Sequence, residues 1–188
     1  MMKKIRIGSG SAFWGDALDP AMDLLEKADL DYLCFDFLAE LTMVLLQRQK
    51  QRHADRGFVP DAVSFMGQML PLALDKGTKL ISNGGGVNPR SAGQHIINDL
   101  RARERFGAKV AVVTGDDLLE RIDELISAGI PLENMETGET NFLDIRDRIL
   151  SANAYIDASG IIDGLGQGAD IVITGRVSDN GVYVGPMM

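Results

Sequence analysis

The chain has 188 residues, is 45% hydrophobic and carries a formal charge of -8, from 27 acidic and 19 basic residues. That length buries a core without disulfide staples, and the acidic balance argues against a nucleic-acid backbone or an anionic membrane surface as partner. No apolar stretch reaches the ~20 residues needed to span a bilayer, and Lys3, Lys4 and Arg6 precede Gly8 without the apolar segment of a signal peptide.

In chain order, a first strand is predicted from about Lys4 to Ile7, followed by the loop Gly8-Ser9-Gly10. Asp19 as cap and Pro20 as first helical residue predict a helix to Lys27. The near-continuous apolar run Tyr32 to Phe37 reads as a strand buried on both faces, and a helix between two strands implies a parallel crossover. The single cysteine, Cys34, lies in this run without a disulfide partner, so it reads as a core residue in a reducing cytoplasm.

Leu38, Leu41, Leu45 and Leu46 recur at helical spacing, predicting an amphipathic helix from Leu38 to Gln51. A further helix is predicted over Pro60 to Lys76, stopped by Gly77 and kinked or divided at Pro71. A strand at Lys79 to Ser82 leads into Asn83-Gly84-Gly85-Gly86-Val87-Asn88-Pro89-Arg90. Asn88 and Pro89 open a helix that ends near Gly107.

The next strand is predicted at Lys109 to Val113, and Asp116 or Asp117 caps a helix whose Leu118, Leu119, Ile122, Leu125 and Ile126 form a core-packing stripe ending at Gly129. From 130 to 150 the periodicity fades and acidic residues accumulate, predicting an excursion or lid with a short helix at Asp144 to Leu150. Ser151 to Tyr155 reads as a strand end entering a helix that stops by Gly168, and Asp170 to Thr174 as the last strand. The chain stops where another helix is expected, which reads as truncation or completion by another element. One domain is predicted, α/β, with a doubly wound, mainly parallel sheet and helices on both faces; part of a β/α barrel is the alternative.

Three adjacent glycines imply a sharp turn or a close approach to the backbone. At the head of a helix, their N–H groups and the helix dipole would suit a carboxylate, phosphate or thioester oxygen. Asn83, Asn88 and Arg90 add side-chain donors there, and Arg176 could hold an anion through two prongs. A structural role, a tight turn that lets the helix pack close to the sheet, stays open. On the binding reading, Gly85→Val abolishes binding and leaves the fold intact.

The blocks Ile7-Gly8-Ser9-Gly10-Ser11-Ala12-Phe13-Trp14-Gly15-Asp16, Asp31 to Glu40, Ser82 to Pro89, Val112-Val113-Thr114-Gly115-Asp116-Asp117, Ser151-Ala152-Asn153-Ala154-Tyr155 and Ile173-Thr174-Gly175-Arg176-Val177-Ser178-Asp179 occur in this order. Together they resemble the N-terminal region of the acyclic terpene utilisation family, the AtuA-like proteins. The resemblance implies a bacterial cytoplasmic protein of branched, terpene-derived acid catabolism, acting on acids such as citronellate and geranate carried as coenzyme A thioesters. Members of that family usually continue past the Thr-Gly-Arg block, often with a further domain, so this chain departs from the pattern there.

Nucleotide motifs fail: the third glycine of G-x-G-x-x-G would fall at Phe13, and no G-x-x-x-x-G-K-[ST] run exists. His53 and His95 lack zinc-site context. Mg2+ or Mn2+ stays open, because Asp16, Asp36, Glu40, Asp116, Asp117 and Asp179 could bring oxygen ligands to strand ends. The alternative is that these acids are caps and surface groups. Asp16, Asp36, Glu40 and Asp116 are the candidate acid/base residues, with Phe13, Trp14 and Phe37 as apolar walls that could tune Asp16 or Glu40. Ser9, Gly10, Asn83, Gly84, Gly85, Gly86, Asn88, Arg90, Asn153 and Arg176 are the candidate substrate contacts. The expected function is hydration or another lyase step on an unsaturated acyl-CoA thioester. The alternative is a non-catalytic binding module or partner subunit for an anionic or acyl ligand, and a homo-oligomer or an additional C-terminal domain stays open.

Overall fold

The computed structural model describes residues 4–188. Five strands, β1 (Ile7–Ser11), β2 (Tyr32–Phe35), β3 (Lys79–Ser82), β4 (Val110–Val113) and β5 (Ile171–Thr174), form one sheet in the order β1-β2-β3-β5-β4, and every pair is parallel. Among the described residues the sheet does not close: β1 and β4 are its edges, so it is an open doubly wound sheet rather than a barrel segment.

The strand order decides where the helices go. Helix α1 (Leu18–Lys27) joins β1 to β2, α2 (Glu40–Arg52) and α3 (Pro60–Lys76) join β2 to β3, and α4 (Pro89–Ala102) leads towards β4. These connections all step the same way across the sheet, and right-handed crossovers then put their helices on one face. Ala21 and Leu25 of α1, Phe65, Met66, Met69 and Leu70 of α3, and Ala92 and Ile96 of α4 share a single core with Leu33, Phe35, Leu80, Ile171 and Ile173 of the strands.

The step from β4 back to β5 reverses direction, so α6 (Ser159–Gly166) covers the opposite face. Ile161 of α6 packs there with Cys34, Ile81, Val172, Val177 and with Val182 of the short helix α7 (Gly181–Val184). Alternate residues of β2, β3 and β5 thus feed opposite cores, as the two-residue strand period requires. Cys34 is fully buried, its Sγ donates to the Val182 carbonyl at 3.1 Å, and burial pushes its thiol up to about 12.

Several boundaries differ from the sequence expectation. The first strand is Ile7–Ser11, so Gly8-Ser9-Gly10 lies in the sheet and not after it. Helix α1 begins at Leu18 with Ala17 as its cap, which moves Asp19 and Pro20 into its first turn. Helix α3 runs unbroken past Pro71, because it is anchored along its length by seven buried residues. The stripe after Asp117 divides into a 3-10 turn at Leu119–Arg121 and a short helix α5 (Ile122–Ser127), with Ile122 alone buried in the two. The stripe does not pack on the sheet: α4 and α6 are the helices in contact with β4 and β5, and β4 itself stays partly exposed at this edge. The acidic excursion holds only the 3-10 turns Phe142–Asp144 and Arg146–Arg148, tied to α5 by Arg146 donating to Asp123.

The triple-glycine turn is buried throughout. A Cβ on Gly84 would lie 2.4 Å from the Ala62 Cβ, and one on Gly86, whose φ is 56°, would lie 2.5 Å from Leu46 Cδ1 and 2.8 Å from the Gly57 oxygen. A Cβ on Gly85 would sit 2.4 Å from the Thr174 carbonyl oxygen and 2.9 Å from the Pro89 Cα. The glycines are therefore required by packing of this turn against α2, α3 and the end of β5. The expectation that Gly85→Val spares the fold is overturned for that reason. Even Gly85→Ala should lower stability by about 1–3 kcal/mol, read as a fall in the urea midpoint at unchanged slope.

Candidate functional site

In an all-parallel sheet every strand delivers its following loop to the same rim, and a crevice opens where two neighbouring strands send their loops to opposite faces. Here that place lies between β3, whose turn Asn83–Asn88 leads to α4 on one face, and β5, whose loop Gly175–Asn180 leads to α7 on the other. The predicted convergence of the glycine turn and Arg176 follows from this reversal: Gly85 abuts the Thr174 carbonyl, two residues before Arg176.

Asp116, just past β4, is the electrostatic centre of the rim. It is 2% exposed, and its Oδ2 accepts from the Arg176 backbone N–H at 2.8 Å and from Asn153 Nδ2 at 3.0 Å. Burial pushes its carboxyl above the ordinary value, and those two donors pull against the rise without cancelling it. Gly175 allows the approach, since a Cβ there would meet Asp116 Oδ1 at 2.2 Å.

The strap around Asn153 is fastened on both sides. Leu118 N–H donates to Ala152, Ala154 N–H to the Asp116 carbonyl, and Ser178 N–H to Ile156. Between these anchors, Tyr155 lays its ring over the Arg176 guanidinium, 4.0 Å from carbon to centroid, and its hydroxyl hydrogen-bonds Glu40. That hydroxyl is the main influence holding the exposed Glu40 carboxyl below its ordinary value.

Arg176 is itself 2% exposed. Its Nη1 donates to the Leu38 carbonyl at 3.1 Å and its Nη2 to Asp179 Oδ1 at 2.7 Å, with Glu40 Oε1 3.9 Å away; its buried Nε has no partner. A buried cation thus faces two exposed carboxylates and an aromatic ring.

Asp36 and Asn83 tie the ends of β2 and β3 together. Asn83 is fully buried, accepts from the Phe37 N–H at 2.8 Å and donates to Asp36 Oδ1 at 2.6 Å, so both ends of its amide are committed to the protein. Asn88 caps α4, accepting from Ser91 N–H at 3.4 Å, while its Nδ2 donates to the Ala54 and Arg56 carbonyls. Beside that helix start lies a cavity of about 170 Å³ lined by Lys50, Asn88, Arg90, Thr114, Asp116 and Asp117 among others. Lys50 reaches the Val87 carbonyl at 3.0 Å and Asp117 at 3.3 Å.

Ser9, Gly10 and Asp16 stand apart, around a cavity of about 260 Å³ at the end of β1. Asp16 Oδ2 accepts from the Ala12 and Phe13 N–H groups, closing its own loop, and Trp14 turns away to donate to Asp61. Ser9 Oγ meets the Tyr183 hydroxyl at 2.9 Å. His95 packs against Phe58 with the rings tilted and their centroids 5.0 Å apart. Among the described residues no three His, Cys, Asp or Glu side chains group as a metal-holding cluster, and no helix is long and apolar enough to cross a membrane.

The structure adds Tyr155 and Lys50 to the residues expected at the rim, and it pairs Asp179, expected as a possible metal ligand, with Arg176. Tyr155 and Lys50 could not have been found from the sequence, because their partners Glu40 and Asp117 lie 115 and 67 positions away and carry no shared motif.

Two measurements check this geometry. Asn83→Ala should cost about 1–3 kcal/mol, because it orphans the buried Phe37 N–H, as read by urea denaturation. The native state holds the Asp116 proton more tightly than the unfolded chain does, so its share of stability is largest at low pH. That share falls as pH rises from about the unfolded value of 3.8 through the higher folded value. Subtracting the curve of Asp116→Asn from that of the unsubstituted protein should therefore give a difference that declines with pH across that window and then levels.

No curated protein and no solved structure matches the chain at a significant level. A family profile does: that of the acyclic terpene utilisation family protein AtuA, over residues 5–188. The match covers the whole sheet and the entire rim just described, and the chain belongs to the AtuA acyclic terpene utilisation family.

Proposed function

We propose that the chain is a catabolic enzyme of acyclic terpene or branched-chain acid degradation, adding water to an unsaturated acyl thioester, with Asp116 as the group that moves the proton. The observation that carries this reading is the buried, proton-retentive Asp116 carboxyl on the wall of the cavity at the start of α4. A carboxyl tuned upward by burial is suited to general acid/base work nearer neutral pH. Lys50, Arg90 and the positive end of α4 offer complementary charge to a thioester oxygen on the same wall.

In such a step, water adds its oxygen to the β-carbon and gives one proton to the Asp116 carboxylate. The electrons of the double bond shift towards the thioester oxygen, and a proton returned to the α-carbon completes the addition. Lys50 and Arg90 stabilise the negative oxygen that develops between the two proton transfers.

The test is incubation of the purified chain with a panel of branched unsaturated acyl-CoA thioesters, with and without Mg2+ or Mn2+, followed by mass spectrometry. The expected result is a product heavier by one water, with Asp116→Asn slower by about 10²-fold or more. Binding without turnover under every condition would instead favour the reading as a binding module, for which the close ties of Asp116 to Arg176 and Asn153 would serve only to hold the rim in shape.

A further inference from the structure

The surroundings of Arg176 carry an inference that rests on the rim being the ligand site and goes on to the chemistry of the ligand. A buried guanidinium offers five N–H donors, and two of its three nitrogens are satisfied, by Leu38 and Asp179. Nε has no partner. Glu40 Oε1, at 3.9 Å from Nη2, is too distant for a hydrogen bond. Yet Asp179 already balances the cation, so Glu40 is a second carboxylate beside one positive charge.

Glu40 is also lightly held. Its side chain is 80% exposed, Tyr155 is 51% exposed, and the Tyr155 hydroxyl supplies its one side-chain hydrogen bond. It sits in the first turn of the 13-residue helix α2, where a negative group is welcome. Everything that would favour a carboxylate at this spot comes from the frame: a buried guanidinium with unused donor capacity, an anchored phenol and a helix start.

We propose that Glu40 is an internal stand-in for a ligand carboxylate, and that the natural ligand carries a free carboxylate group which displaces Glu40 to pair with Arg176 and the Tyr155 hydroxyl. Arg176 then serves a free carboxylate, whereas the cavity at the start of α4 serves the thioester. A neutral amide or ester in the same position would leave the guanidinium no better matched than Glu40 does. The displaced Glu40 swings into water at little cost, since its side chain is already exposed.

The experiment is calorimetric titration of the whole chain with 3-methylbut-2-enoate, its amide, and inorganic phosphate as a general anion. The unsubstituted protein should bind the carboxylate at least about tenfold more tightly than the amide, consistent with a charge-assisted pair. Glu40→Ala should tighten the carboxylate by up to about fivefold, the scale of releasing one exposed ion pair, and should leave the amide and phosphate unchanged. Tyr155→Phe should weaken the carboxylate and not the amide.

Equal affinities for carboxylate and amide, no detectable binding of the carboxylate, or a Glu40→Ala variant that binds it no better would overturn the inference. So would an equal gain for phosphate, which would mark a long-range charge effect. Because these titrations use no thioester, their failure leaves the hydration assay standing, and failure of hydration leaves these titrations interpretable.

Discussion

The hydrogen bond from the Arg176 backbone N–H to the buried Asp116 carboxylate is the interaction on which the rim depends. It links the loop after β4 to the loop after β5, two strands that are neighbours in the sheet but lie about sixty residues apart in the chain. Oδ2 also receives Asn153, so the same oxygen fixes the strap that carries Tyr155. Burying a carboxylate is costly unless donors meet it, and here those donors are the groups that set the position of Arg176 and Tyr155. One acid therefore both organises the rim and keeps the raised proton affinity that its burial gives it.

The reversal of strand order makes this possible. Had β4 taken the place next to β3, successive crossovers would all have stepped one way, and α6 would have packed on the same face as α1, α3 and α4. Instead β5 is inserted between β3 and β4, and the connections leaving β3 and β5 part to opposite faces. The polar groups at that parting find protein partners, while the middle residues of the strands below them are apolar. This explains how Asp116 and Arg176 lie at the edge of a core whose strands β3 and β5 otherwise bury Leu80, Ile81, Ile171, Val172 and Ile173.

Two kinds of polar group share the rim and behave differently. Asn83, Asn88 and Asp16 satisfy backbone N–H groups or carbonyls, Asp16 within its own loop and Asn83 and Asn88 across other segments, so their chemistry is absorbed by the fold. Arg176, Asp116, Glu40 and Lys50 are charged groups brought together from distant segments, each with capacity the protein does not fully use. Amides and capping acids stabilise turns by short-range bonds. Charges assembled by the topology leave a field that a ligand can complete.

Much of the architecture could be read from local pattern. Apolar runs bounded by polar turns marked β2, β3, β4 and β5, Asn88-Pro89 marked the start of α4, and Gly77 the end of α3, because caps and strands are settled by nearest neighbours in the chain. The rim residues Asp36, Glu40, Asn83, Asp116 and Arg176 could be named for the same reason, since each follows a strand, whereas Asn153 lies in a strap that makes only an isolated bridge to Asp117. The apolar stripe after Asp117 misled, since helical spacing records an apolar face but not whether any surface is left for it to cover. The glycine turn left two readings open, because a missing side chain leaves equal room for a ligand or for the protein's own atoms, and here the Thr174 carbonyl and the Ala62 and Leu46 side chains fill it.

The sequence by itself therefore determined the alternation of strands and helices, the buried faces and the roll of polar strand-end residues, all of which follow from local spacing. Only the tertiary structure decided that β5 enters between β3 and β4, and with it that Tyr155 covers Arg176, that Glu40 faces the same cation and that Asp116 is buried. Those relations join distant positions, Glu40 and Arg176 being 136 residues apart in the chain. They arise because sheet order and crossover hand, and no periodicity along the chain, choose which loops meet.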